Sequence, residues 1–352
     1  MTGTASTALR LREKIDQVVK IDATKNKDGT ACLPKTVHVF EQESIFALMA
    51  AIGAGRPLLV RGVPGTGKSQ LARAAAAVLG WDFVAKVVDA HTEVADLFYT
   101  FDAVERLAHA QVVGALHPGT LTAAIVREGL DVMGFVRPGP LWRAFDPRGA
   151  ATQAEVYRIR GIERGTTSSS DERTEIGDVE AASANEHGHV VLIDEIDKAD
   201  PSVPNGLLEA LGQGTFSVLE RAMVSLHGGE CPVPLIVITT NEERELPSAF
   251  VRRCVVLELN LPSPEEELRT WLMRRGAAHF EGRPVLGLLE EATEALLEDR
   301  AKAQELRQPP PGLAEYIDLL RALDALGEAV SLQEIRKAVF EKHLADNVMD
   351  GR

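Results

Sequence analysis

Gly62-Val63-Pro64-Gly65-Thr66-Gly67-Lys68-Ser69 is the stretch that decides the fold. It fits the phosphate-loop pattern G-x-x-x-x-G-K-[ST], and its neighbours fit the same reading. Before it, Pro57-Leu58-Leu59-Val60 reads as a short buried strand. After it, residues 69–79 are rich in alanine, with Leu71 and Leu79 on helical spacing, and read as a helix that Gly80 ends. Such a loop leaves several backbone N–H groups without internal partners and aims them at one point, where the helix dipole adds positive potential. The glycines permit positive φ and close approach of backbone to phosphate. A nucleotide is therefore expected along Gly62, Val63, Pro64, Gly65, Thr66, Gly67, Lys68 and Ser69, with Leu71 counted among the binding residues. Lys68 is expected to reach the β- and γ-phosphates of ATP, and Ser69 to ligate Mg²⁺.

Outward from this loop, residues 37–261 alternate strand and helix patterns, the mark of an α/β fold on a parallel sheet. Candidate strands lie at 58–60, 83–88, 190–193, 235–239 and 255–259. The last three are nearly continuous β-branched or leucine runs, as expected where helices cover both faces. Two segments interrupt the pattern: residues 103–146, with helical stretches and a Gly/Pro-rich piece, and the polar, acid-rich residues 165–187, expected as a long loop. After Pro262 the pattern is helical, at 265–275, 285–304, 312–326 and 331–344, with Pro309-Pro310-Pro311 as a break. An amphipathic helix is expected at 8–19. The expected division is an N-terminal helical extension (1–36), a nucleotide-binding domain (37–262, with an insert at about 103–188) and a helical lid (263–352).

Composition narrows the function classes. A chain of 352 residues with 45% hydrophobic content can bury a sizeable core. A formal net charge of −14 speaks against a nucleic-acid-binding body. The three widely spaced cysteines exclude a disulfide scaffold and fit a reducing cytoplasm. No signal peptide is evident and no apolar run approaches a membrane span, so no membrane insertion is expected.

Three further segments carry chemistry. Val190-Val191-Leu192-Ile193-Asp194-Glu195 is an apolar strand ending in two carboxylates. Beside a phosphate loop, Asp194 is placed to hold Mg²⁺ and Glu195 to polarise an attacking water. The bland reading is a pair of acids between strand and helix. Leu235-Ile236-Val237-Ile238-Thr239-Thr240-Asn241 ends in hydrogen-bonding side chains, and Asn241 is suited to hold that water in line. Arg252 and Arg253 close a short helix before the last strand, where a guanidinium could stabilise charge on a γ-phosphate. On residues alone, a solvated helix end is the favoured reading of that pair. His187 and His189 lack partners at metal spacing, Met223 and Trp142 are expected to pack, and Glu265-Glu266-Glu267 reads as a first helical turn.

In this order the segments resemble the MoxR-like group of AAA+ ATPases, over residues 37–344. Gly62 to Ser69 resembles its Walker A, Val190 to Glu195 its Walker B, and Asn241 its sensor 1. Asp194-Glu195-Ile196-Asp197-Lys198-Ala199 is similar to the group's Asp-Glu-Ile-Asn-Arg stretch, and Gly139-Pro140-Leu141 to a piece that follows its helix-2 insert. The resemblance makes Arg253 the arginine finger, with Arg252 in reserve. Cys254 stands where phenylalanine usually follows, and the group's Gly-Ala-Ser-Pro-Arg stretch is missing, which leaves Arg307 as the sensor 2 candidate. The resemblance implies an ATP-fuelled homo-oligomer, commonly a hexameric ring, acting with a von Willebrand factor A domain partner as a chaperone that remodels a target complex. A nucleotide-dependent switch of a partner effector and a GTP-using, nucleic-acid-associated motor stand as alternatives.

Overall fold

The computed structural model describes residues 2–25, 31–33, 35–116, 131–164, 188–220, 222–225 and 232–340. The loop expected at 165–187 and the end of the helix expected to reach residue 344 lie outside these residues. Five strands form one parallel sheet: β1 (Leu58–Arg61), β2 (Asp82–Val87), β3 (His189–Asp194), β4 (Leu235–Thr239) and β5 (Val255–Glu258). Their order is β5-β1-β4-β3-β2. Each was legible in the sequence to within one residue at either end.

Alternation along the strands sorts the apolar side chains to two faces. Leu58, Val60, Val190, Leu192, Leu235 and Val237 enter a core with Ile45 and Leu48 of helix Gln42–Ala54 and Leu71, Ala75 and Leu79 of helix Lys68–Leu79. The intervening Leu59, Val191, Ile193, Ile236 and Ile238 join Phe98, Trp142 and Phe250 on the opposite face. Around β1, β4 and β3 both faces are dry, which is why these strands read as unbroken apolar runs. By contrast, β5 lies at the sheet edge and leaves Val256 39% exposed, contrary to the two covered faces expected for it. Burial of each such side chain contributes about 1.5–3 kcal/mol.

The N-terminal segment departs from expectation. The helix spans Thr2–Arg12, and Val18–Ile21 is a strand paired antiparallel with Thr36–Val39. In the turn after the helix, Asp16 adopts φ 58° and donates its N–H to the Phe40 carbonyl at 3.1 Å. The β-branched Val18, Val19 and Ile21 then suit an extended pairing. Leu11, Ile21 and Phe40 are buried in the sheet's core, so this segment packs onto the nucleotide-binding body.

In the insert, helix Ala103–Leu116 leads away from a strand pair, Tyr99–Phe101 with Val136–Pro138. Helices Pro140–Phe145 and Pro147–Arg164 follow. The second had no signal in the sequence, because it carries two glycines and few large apolar residues. Trp142 packs edge-on against Phe216, with centroids 5.5 Å apart. Met223 does not pack: it lies on the hairpin Thr215–Val218/Ala222–Ser225 and is 69% exposed, because alternation turns its neighbour Val224 inward. The C-terminal helices Glu265–His279, Leu289–Glu305, Leu313–Leu326 and Leu332–Phe340 surround a core of their own, with Leu272, Leu296, Tyr316 and Leu320 at its centre. Among the described residues, no helix is long and apolar enough to cross a membrane.

Candidate nucleotide-binding site

The carboxyl ends of β1, β4 and β3 lie side by side, because β4 pairs with both of the others. The loop leaving β1 therefore opens beside the side chains at the ends of its neighbours, the usual place for a ligand in such a sheet. In that loop Gly62, Gly65 and Gly67 adopt φ of 140°, 80° and 93°. A Cβ on Gly62 would stand 2.2 Å from the Leu259 carbonyl oxygen, so the loop is seated directly on the chain leaving β5. Gly67 caps helix Lys68–Leu79 with no side-chain hydrogen bond, leaving backbone N–H groups at that end for a ligand.

Lys68 is buried, and its ammonium donates to the carbonyls of Gly62 at 2.7 Å and Val63 at 2.9 Å. Burial pulls its pKa down, while the carboxylates of Asp194, Asp197, Glu195 and Glu242 act in the opposite sense. The cation is thus folded back on its own loop, with donors ready for a phosphate.

Asp194 gathers the remaining elements. Ser69 donates its Oγ–H to the Asp194 carboxylate, 2.8 and 2.9 Å from the two oxygens. Thr239 donates to Oδ1 at 2.5 Å and accepts the Glu195 N–H at 2.9 Å. Glu195 has a left-handed backbone, φ 61°, which costs roughly 1–2 kcal/mol in a residue other than glycine. Its Oε1 accepts from Asn241 Nδ2 at 3.2 Å and its Oε2 from Lys198 Nζ at 2.7 Å. Thr239 was not singled out in the sequence, although a hydroxyl closing an apolar strand, here 1% exposed, is the signal that could have found it. Ser69 and Asp194 supply hard oxygen donors, and Mg²⁺ on a nucleotide takes most of its ligands from phosphate and water, so this small set fits it. Among the described residues there is no cluster of three or more His, Cys, Asp or Glu that would form a dedicated metal cage.

These residues line a cavity of about 440 Å³. Its other wall comes from distant parts of the chain: Val37, His38, Val39 and Glu41 before the sheet, and Trp271, Arg275, His279, Ile317 and Arg321 from the C-terminal helices. Trp271 Nε1 and Arg275 both donate to Glu41 Oε1, at 2.5 and 2.6 Å, and the Arg275 guanidinium lies 3.4 Å over the Trp271 ring. Burial, reinforced by nearby cations, brings His38 down to about 3 and His279 to about 4, so both are neutral at pH 7.

Most of the expected residues converge. Pro64 to Ser69, Asp194, Glu195 and Asn241 line the cavity, and Gly62 and Val63 reach it through Lys68. Leu71 does not: it is fully buried in the core, and its N–H is spent on the Gly67 carbonyl at 3.0 Å. Three residues on from Lys68, the helix has turned its side chain toward the sheet. Arg307 is not on the wall either. The helix before it ends at Glu305, and Arg307 turns outward, exposed, with φ 55°. On the lid helix that follows, Arg321 does line the cavity, sharing a face of helix Leu313–Leu326 with Ala314, Ile317 and Asp318. Arg252 and Arg253 are exposed at the end of helix Ser248–Val251, off the wall of their own chain's cavity. Their side chains make no hydrogen bond or ion pair among the described residues. Cys254 is buried, which pushes its thiol up to about 11, and it packs as a small apolar residue.

Strand order, phosphate loop and paired carboxylates together define a phosphate-loop nucleotide-binding protein. The family model described as AAA domain (dynein-related subfamily) matches residues 57–254, more than half of the sequence, and the chain belongs to that family of nucleotide-hydrolysing domains. Among solved structures it is similar to an ATPase candidate from Cytophaga hutchinsonii, with 15% identity over 84% of this chain and 79% of that one and a TM-score of 0.36. It is also similar to a point variant of RuvB from Thermotoga maritima, with 15% identity over 81% of this chain and 68% of that one and a TM-score of 0.34. No curated protein matches the sequence.

The loop's seating can be tested through its first glycine. Gly62→Ala is expected to lower the unfolding free energy by at least about 1–3 kcal/mol, the scale of a strained backbone, because φ 140° and the Leu259 carbonyl both oppose a side chain. Gly53→Ala, in the last turn of helix Gln42–Ala54 with nothing within 4 Å of the added carbon, is expected to be neutral or stabilising by up to about 1 kcal/mol. Chemical denaturation of both variants checks the contrast, and equal effects would contradict it.

Proposed function

We propose that this chain hydrolyses ATP as a MoxR-like ring motor, and that it uses the energy to remodel a partner complex. The observation that carries the reading is the network at Asp194, which joins Ser69 at the start of the phosphate-loop helix to Thr239, Glu195 and Asn241. Lys68 and the loop amides would hold and neutralise the β- and γ-phosphates. Mg²⁺ at Ser69 and Asp194 would add charge neutralisation across the same oxygens. Glu195 would take the proton of the attacking water, with Asn241 fixing its orientation. The wall formed by Val37 to Val39, Trp271 and Ile317 would receive the base.

Assembly belongs to the same reading. Arg253 is exposed and off its own cavity wall, which supports a role in which it would act on a γ-phosphate in a neighbouring copy. A hexameric ring in the cytoplasm, with a von Willebrand factor A domain protein as partner, follows from the sequence resemblance to MoxR-like proteins. The net charge of −14 supports a protein partner over a nucleic acid.

Two outcomes test this. Lys68→Ala is expected to abolish nucleotide binding, whereas Glu195→Gln should bind ATP normally and hydrolyse it about 10²–10⁴-fold more slowly. Wild-type turnover in Glu195→Gln would overturn the assignment of the base. Arg253→Ala should lower turnover within the ~10³–10⁵ range of arginine fingers while leaving nucleotide affinity intact. Mixing it with Lys68→Ala should restore part of the activity, since one interface then pairs an intact loop with an intact finger. Full activity in Arg253→Ala, at a rate independent of protein concentration, would remove the ring mechanism.

A further inference from the structure

We infer that Lys198 is a positioning residue for Glu195: its ammonium and the Asn241 amide together fix the plane of the carboxylate. This rests on the reading of Glu195 as the base for water. Each Glu195 oxygen is held by a different element, Oε2 by Lys198 at 2.7 Å from the one-turn helix Ile196–Lys198, and Oε1 by Asn241 at 3.2 Å from the loop after β4. Lys198 also donates its backbone N–H to the Glu195 carbonyl at 3.0 Å, so it holds this residue at main chain and side chain alike.

The two arms are tied to each other. Asp197, only 3% exposed, accepts the Glu243 N–H at 3.0 Å, which links the Ile196–Lys198 turn to the loop that carries Asn241. A glutamate anchored only at its backbone sweeps its carboxylate through a wide arc, because three side-chain torsions remain free. Two charge-assisted or amide donors on opposite oxygens remove that freedom. A carboxylate offers about four lone-pair sites, so both bonds leave acceptors for a water. Asn241 lines the cavity and Lys198 does not, which means that Lys198 reaches the carboxylate from outside the cleft and leaves the phosphate side clear. Its side chain is 41% exposed, so as a surface ion pair it would stabilise the fold little, and its significance lies in where it aims its partner.

The test is a double-mutant cycle. Lys198→Met keeps the length of the side chain and removes the charge. It is expected to lower kcat for ATP by about 10- to 100-fold, the scale of a misplaced catalytic group. KM, ADP affinity and Tm should stay near wild type, and Lys198→Arg should restore most of the loss. In a Glu195→Gln background, single-turnover measurements should show no further loss on adding Lys198→Met, because Lys198 acts through that carboxylate. An unchanged kcat in Lys198→Met, an equal further loss in the Glu195→Gln background, or an arginine variant no better than methionine would each overturn the assignment. Wild-type turnover in Glu195→Gln alone would instead remove the role of the base, and this inference with it.

Discussion

One carboxylate holds the site together. Asp194 ends β3 and accepts hydroxyl hydrogens from Ser69, at the head of the helix after β1, and from Thr239, at the end of β4. Three consecutive sheet positions are thereby joined at their carboxyl ends. Ladder hydrogen bonds fix where each strand ends, but not where its last side chain points. The shared carboxylate does that, and Thr239 passes the constraint on by accepting the Glu195 N–H. Removal of one hydroxyl would take a donor from a half-buried carboxylate, at a cost of about 1.5–3 kcal/mol for a hydrogen bond to a charged group, so the arrangement is maintained as a unit.

Around that centre the charges balance without cancelling. Lys68 is buried deeply enough to lower its pKa, yet it lies among four carboxylates. Its own loop carbonyls satisfy it in the absence of a phosphate. Such a site has already met the desolvation cost of its cation before a ligand arrives, the condition under which fixed charges and dipoles act most strongly on a reacting group.

What could be read in advance follows the range of the forces involved. The three central strands were legible because dry packing on both faces demands unbroken apolar runs, and the loop was legible because phosphate binding demands glycines and a lysine in adjacent positions. The wall from Glu41, Trp271 and Arg275 was not, since its partners are 230 or more positions apart and meet only once the lid helices have packed. Leu71 shows a subtler limit: it stands next to the motif in sequence, but helical rotation buries it in the core. Arg307 shows another, because an arginine ahead of a proline run marks the lid helix without saying which face looks inward, and Arg321 occupies that face. The helix expected at 8–19 stops at Arg12, where a turn that includes left-handed Asp16 leads into a strand of β-branched residues from Val18.

Phosphate release from ATP across a Mg²⁺ titration is the most direct test of whether the Asp194 carboxylate organises a Mg²⁺-dependent hydrolytic site. Asp194→Asn keeps the size of the side chain but removes the charge that would hold Mg²⁺. Its rate at saturating Mg²⁺ is expected to fall by about 10²-fold or more, with a higher Mg²⁺ requirement and a circular dichroism spectrum like that of the wild type. A variant that matched the wild type in both rate and Mg²⁺ dependence would contradict that role.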